Sequence, residues 1–208
     1  VMMATPCDLE DFVTGFLLSE GLASSDEIGD VAHHPIDGGE GLVARVNLPA
    51  DRLQPIMERA RRRLGDSSCG ICGIESVEMA LRPLPVLKAR STVRPEAVRR
   101  GLSEMRSAQN LGAQTAATHA AAFCRKDGSL AVLREDVGRH NAFDKMVGAM
   151  LRTGVKWDGG FALLSSRCSF ELVQKCAIAG IGALATVSAP TALALSLARQ
   201  AGLQLAAL

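Results

Sequence analysis

Residues 161–208 run FALLSSRCSFELVQKCAIAGIGALATVSAPTALALSLARQAGLQLAAL, and their punctuation decides the fold. Residues 161–165 form an apolar run that reads as a buried strand. Ser169 stands in capping position before a helix whose first turn carries Glu171. Residues 181–187 read as a second strand, Ser188-Ala189-Pro190 opens a helix to about Ala201, and residues 203–208 close as a third strand. Strand, helix, strand, helix, strand with tight joints predicts parallel strands and right-handed crossovers. Ligands of such sheets sit beyond the carboxyl ends of the strands, which here are Ser165-Ser166-Arg167 and Ser188-Ala189-Pro190.

Upstream, the apolar runs 118–123 and 130–133 flank Lys126-Asp127-Gly128, a tight-turn signal that predicts a hairpin. The second arm leads through Arg134-Glu135-Asp136-Val137-Gly138-Arg139-His140-Asn141 into a helix over 142–151. Residues 95–110 read as an amphipathic helix with Ala97, Val98, Leu102 and Met105 on its apolar face. Pro83 and Pro85 mark a seam between a small N-terminal α+β part (1–83) and a larger α/β domain (84–208). In the first part Thr5 is read as a helix cap, with Pro6 in the first turn and Phe12, Phe16 and Leu17 at helical spacing until Gly21. Residues 42–48 read as a strand and 55–64 as a helix. Arg59, Arg61, Arg62 and Arg63 fit a solvated helix face better than a nucleic-acid patch, since the chain is 3% aromatic and has no Tyr.

Over 208 residues the chain is 48% apolar and 22% charged, with a mean hydropathy of +0.16. That excludes disorder for most of its length. No apolar run reaches the ~20 residues that span a bilayer, and no charged-then-apolar leader is read. The chain opens at Val1 without an initiator Met, so an upstream segment is expected. Six scattered cysteines fit reduced thiols in the cytoplasm better than a disulfide scaffold. Residues 1–83 carry 7 Lys+Arg against 14 Asp+Glu, and residues 84–208 carry 16 against 8. The basic second part suits an anionic ligand, phosphates first, although the two parts also suit mutual attraction.

Gly65-Asp66-Ser67-Ser68-Cys69-Gly70-Ile71-Cys72-Gly73 fits neither core nor ordinary surface. Structural zinc needs two further ligands, and no second Cys-x-x-Cys or spaced His pair follows; distant ligands would have to converge. Thioredoxin-like exchange wants the first Cys at a helix start after a strand, whereas glycines here make a loop. Sulfur carriage suits the segment best: an exposed thiolate takes sulfur from a persulfide, the glycines remove steric cover, and a second thiol can accept or resolve it.

The loop Cys69-Gly70-Ile71-Cys72-Gly73, the run Arg134-Glu135-Asp136-Val137-Gly138-Arg139-His140-Asn141-Ala142-Phe143-Asp144-Lys145, Ser166-Arg167 with Glu171-Leu172-Val173-Gln174-Lys175, and Val187-Ser188-Ala189-Pro190-Thr191 follow in that order. With Met3-Ala4-Thr5-Pro6 and Gly15-Phe16-Leu17-Leu18-Ser19-Glu20-Gly21, they strongly resemble the formate dehydrogenase accessory sulfurtransferase family over essentially the whole chain. The resemblance implies a cytoplasmic homodimer whose larger domain is a three-layer mixed sheet similar to the cytidine deaminase fold. It also implies transfer of persulfide sulfur from a cysteine desulfurase to the molybdenum bis(molybdopterin guanine dinucleotide) cofactor, before that cofactor enters formate dehydrogenase. The persulfide carries over onto Cys69, with Cys72 as companion. Two places depart from the family pattern: its Thr-Gly-Gly is Thr115-Ala116-Ala117 before Thr118-His119, and its Ser-Gly-Arg is Ser165-Ser166-Arg167. The resemblance further implies a strand before Val1 and a basic, glycine-containing loop after Leu208.

A zinc deaminase would need His-x-Glu and Pro-Cys-x-x-Cys. The corresponding places hold His140-Asn141-Ala142 and Ser166-Arg167-Cys168-Ser169, so no zinc site is encoded and the pocket is free for a guanine nucleotide, with guanosine diphosphate a suitable mimic. Arg167 beside a helix start makes an anion site, and Arg139 and Lys145 add phosphate-binding charge. Asn141 or Asp144 would read the base edge or ribose. His119, His140, Ser166, Lys175, Ser188 and Pro190 complete the expected cofactor-binding set, no metal ligand among them. A histidine in an alanine-rich strand such as His119 is more often a satisfied core residue, and Lys175 also fits a salt bridge. The acidic and basic residues over 134–139 equally fit a structural ion network. The competing functions are a non-catalytic cofactor chaperone whose loop cysteines hold metal, and a nucleobase deaminase. Neither nucleic acid nor a membrane is expected as partner.

Overall fold

A computed structural model describes residues 2–36, 38–39, 41–62, 83–87 and 92–208, with only the backbone described over 59–62. Cys69, Cys72 and the rest of their glycine-rich loop lie outside the described residues, as do Arg63 and the side chains of Arg59, Arg61 and Arg62. The elements are α1 (Leu9–Ser19), β1 (Val31–Pro35), β2 (Leu42–Val46), α2 (Ala50–Arg62), α3 (Pro95–Ala108), α4 (Asn110–Thr115), β3 (His119–Cys124), β4 (Leu130–Asp136), α5 (Arg139–Arg152), β5 (Phe161–Leu164), α6 (Phe170–Ile178), β6 (Ala183–Thr186), α7 (Ala192–Ala201) and β7 (Gln204–Ala207).

Five strands pair in the order β4-β3-β5-β6-β7. β3 runs antiparallel to both β4 and β5, and β5, β6 and β7 are parallel. Every residue of β5 and β6 is buried, as expected of parallel strands covered on both faces. Ala162, Leu164 and Leu184 pack with α5, α6 and α7 through Phe143, Met146, Leu172 and Leu197. Phe161, Leu163, Ala183 and Ala185 pack on the opposite face with Ala97, Val98 and Met105 of α3. The result is three layers around a mixed sheet. β1 and β2 form a separate antiparallel pair.

Helix α1 lies across α5 at a backbone-to-backbone contact. A methyl group on Gly15 would sit 1.7 Å from the Asp144 carbonyl oxygen, and one on Gly148 1.9 Å from that of Asp11. Charges surround this crossing. Arg134 binds Asp11 at 2.8 Å, Arg152 binds Asp11 at 2.6 Å and also Glu10, and Lys175 binds Glu20 at 2.7 Å. Part of the charge asymmetry between the acidic first part and the basic remainder is therefore spent inside the molecule.

Two expected caps have other partners. Thr5 does not start α1: Asp8 occupies the cap position at φ 51°, with no side-chain cap. The Thr5 amide instead donates to Asp136 at 2.9 Å, and its hydroxyl accepts from the Val137 amide at 3.0 Å. Ser169 does hold the cap position of α6 but makes no side-chain cap, because its hydroxyl meets His140 Nε2 at 3.2 Å. Thr191 caps α7 through the Ala194 amide. Ala116, in the place where the family pattern has glycine, takes φ 51°, a left-handed conformation costing an alanine ~1 kcal/mol or more.

Gly148→Ala will force the two helix backbones apart and cost about 3 kcal/mol, near the top of the usual overpacking range. At roughly 2–4 °C per kcal/mol for a chain of this size, thermal unfolding will shift down by roughly 6–12 °C; an unchanged Tm would refute the close contact. Ala116→Gly acts in the opposite direction, raising Tm by a degree or two as relief of the left-handed strain exceeds the added chain entropy.

Candidate functional site

Strand register gathers the candidate residues on one edge. His119 pairs with Asp136, Ala121 with Leu164, and Leu164 with Thr186. The amino end of β3 therefore adjoins the carboxyl ends of β4, β5 and β6. Their exits lead at once into α5, α6 and α7, and no side chain caps α5 or α6, leaving backbone donors for an anion. The exits are tied together: Ala120 donates to Ser165 Oγ at 2.8 Å, Thr191 donates to the Cys168 carbonyl at 3.1 Å, and Cys168 forms a parallel bridge with Pro190. Ser166 is buried with its hydroxyl on the Arg167 carbonyl, whereas Arg167 is exposed. Ser188 takes the Thr186 hydroxyl on its carbonyl.

Along this edge the charge is cationic. Burial pushes the pKa of His119 below the usual 6.5, and the nearby Arg139, His140 and Arg167 push it further down. Those four side chains thus share one electrostatic neighbourhood. Arg139 Nε is buried with no hydrogen-bond partner among the described residues, an exception to the rule that buried donors are paired. The same is true of one oxygen of Glu171. Glu171 was legible in the sequence only as an acid suited to a helix start. Its position just past Arg167, where a phosphate-only site needs no carboxylate, is the signal that would have singled it out.

Four expected ligand residues turn inward instead. Lys145 is fully buried, on Asp136 at 2.6 Å and the Thr5 carbonyl at 2.9 Å. Asp144 and Lys175 meet at 2.8 Å beside Ser19 and Glu20, with the Phe16 ring 5.5 Å from the ammonium. Asn141 donates to the Met3 carbonyl and to Asp136. Lys145, expected to add phosphate-binding charge, and Asn141 and Asp144, either expected to read the base edge or ribose, are thus bonded within the fold, and Lys175 makes the salt bridge that is its alternative reading. Residues 141, 144 and 145 of α5 meet α1, α6 and the arm before α1, whereas Arg139 and His140 occupy the helix start at the sheet edge.

Four cysteines are described, none in a disulfide. Burial raises Cys124 and Cys168 to about 12 and Cys176 well above the ordinary thiol value, and raises the half-buried Cys7. Among the described residues no thiol is poised as a thiolate, and no group of three or more His, Cys, Asp or Glu side chains could hold a metal ion. No helix among them is long and apolar enough to cross a membrane.

The family model for the FdhD/NarQ family matches residues 1–208. The chain belongs to this family. A sulfur carrier protein FdhD of Xanthomonas campestris pv. campestris (strain B100) is 46% identical over 206 residues, covering 99% of this chain and 73% of that one. The sulfur carrier protein FdhD of Cupriavidus necator is 43% identical over 208 residues, covering 99% and 71%. The fold of this FdhD/NarQ member also matches a crystal structure from Desulfotalea psychrophila, described as a formate dehydrogenase accessory protein, with a TM-score of 0.70 and 27% identity over 98% of this chain and 74% of that one. The resemblance drawn from the separated motifs is thereby shown, and the mixed α/β architecture is common to the two structures.

The charges around His119 give a titration test. Arg139→Gln removes its strongest cationic neighbour, so the His119 pKa will rise toward 6.5, and added pyrophosphate will raise it in the wild-type chain. An NMR titration of the His119 ring that moves with neither change would separate this histidine from the cationic edge.

Proposed function

We propose that this FdhD/NarQ member is a cytoplasmic sulfurtransferase that carries persulfide sulfur on Cys69 to a molybdenum bis(molybdopterin guanine dinucleotide) substrate destined for formate dehydrogenase. What carries the reading is its likeness, across 99% of its length, to relatives named sulfur carrier proteins. Elimination among the thiols supports the choice of residue. Cys124, Cys168 and Cys176 are buried, Cys7 is half-buried, and burial raises the pKa of all four, which favours the Cys69-Gly70-Ile71-Cys72 segment as the source of the nucleophile.

The Cys69 thiolate attacks the outer sulfur of a cysteine desulfurase persulfide. A new S–S bond forms as the donor S–S bond breaks, and the donor leaves as a thiolate. Cys69 then yields that sulfur as a neutral atom, with a reduced molybdenum centre in the substrate supplying the two electrons, and returns to thiolate. Cys72 serves as the companion thiol. Arg139, Arg167, His119 and His140 hold the phosphates of the guanine nucleotide while transfer proceeds, and the uncapped starts of α5 and α6 add backbone donors. In this reading the three-layer domain is cytidine-deaminase-like, its base pocket used for guanine, and the protein works as a homodimer.

Incubation with cysteine and a desulfurase will add one sulfur atom to the tryptic peptide 64–88, which contains residues 64–82, detected by mass spectrometry. Cys69→Ala will abolish that gain and the restoration of formate dehydrogenase activity, while guanosine diphosphate still binds. Arg167→Ala will weaken that binding roughly tenfold, the loss of one charge-assisted contact. Sulfur recovered on another peptide, or full activity with Cys69→Ala, would overturn the assignment.

A further inference from the structure

The anion-binding edge contains a group that anion binding does not explain. Glu171 sits in the first turn of α6, four residues beyond Arg167. One oxygen of its carboxylate, Oε2, is buried without a hydrogen-bond partner among the described residues. His140 Nε2 approaches that oxygen at 3.9 Å, beyond hydrogen-bonding distance, while its shorter contact at 3.2 Å goes to Ser169 Oγ. Burial pushes the Glu171 pKa up, but His140 and Ser169 outweigh it and hold the carboxyl below its ordinary value, so it is charged at neutral pH. On the start of α5, beside His140 in sequence, Arg139 Nε is also buried and without a partner.

A carboxylate repels phosphate, and a buried acceptor left unsatisfied costs about 1–3 kcal/mol. Its presence beside His140, on an edge where His119 also feels Arg139 and Arg167, is accounted for by a ligand that is anionic at one end and rich in N–H donors at the other. A guanine base has this donor pattern, since its ring N–H and exocyclic amine lie side by side and a single carboxylate can accept from both. Adenine lacks the ring N–H, and hypoxanthine lacks the amine.

We infer that Glu171 is the specificity-determining residue of this site, accepting the paired N–H donors of guanine, with Arg139 Nε donating to the same nucleotide. This rests on the guanine-nucleotide reading proposed above and adds to it the residue that selects the base.

Calorimetry on the intact chain, with guanosine, inosine and adenosine diphosphates and inorganic pyrophosphate as probes, tests it. The wild-type chain will prefer guanosine to inosine diphosphate by about tenfold, the typical effect of one lost polar contact. Glu171→Ala and Glu171→Gln will both lose that preference. Each will hold or tighten pyrophosphate, because a negative charge leaves the edge; a misfolded variant would weaken it instead, and of the two the near-isosteric Gln retains the local packing. Unaltered base preference in a Gln variant that still binds pyrophosphate would overturn the role of Glu171 alone. Failure of the wild-type chain to bind pyrophosphate or any of the nucleotides would overturn the anion edge and this inference together.

Discussion

The backbone contact between Gly15 and Gly148 sets where everything else can sit. Because neither glycine has a side chain, α1 settles directly onto α5, and its polar residues reach groups that wider spacing would leave unpaired. Ser19 and Glu20 then close around Lys175 and Asp144, while Asp11 takes both Arg134 and Arg152. Buried charges of this kind are costly to desolvate and contribute little net stability compared with apolar packing. What they fix is arrangement: each needs its partner, so α1, α5 and α6 have one mutual position in which no charge is stranded.

That arrangement determines which side chains remain for a ligand. The inward face of α5 is occupied by Asn141, Asp144 and Lys145, and the arm before α1 covers it, with Thr5 and Met3 bonded to Lys145, Asp136 and Asn141. Arg139 and His140, one turn earlier, stay on the sheet edge beside Arg167 and His119. The same short motif therefore serves two purposes, its first two residues at the sheet edge and the next ones packed against α1 and the arm before it.

Much of the architecture was legible because it depends on local pattern. The alternating apolar blocks after residue 160 gave three parallel strands and two helices, and Asp127-Gly128 gave the hairpin, with Gly128 at φ 86°. The β1 strand was not read, since Val-Ala-His-His-Pro is short, mixed and largely exposed. Pro55 was read as a helix start but lies inside α2, which begins at Ala50. The fate of the charges was illegible for a different reason. Thr5 meets Asp136 across 131 residues of sequence, and Lys175 meets Ser19 across 156. No local periodicity encodes such pairs, and a lysine destined for a buried partner looks the same in sequence as one destined for phosphate.

A carrier of labile sulfur has to keep that sulfur from its own wrong thiols, and burial supplies the means here. A cysteine whose pKa stands near 12 is ionised at neutral pH to roughly one part in 10⁵, against a few per cent for an ordinary free thiol. Cys124 in the sheet and Cys168 at the exit of β5 are in that state, and burial also raises Cys176, within α6, well above the ordinary thiol value. Cys168 lies in the very loop that carries Arg167, yet desolvation removes it as a competitor without any change of residue. Apolar packing thus has a second consequence beyond stability. It permits Cys124, Cys168 and Cys176 in a sulfur-handling protein by keeping these three thiols protonated.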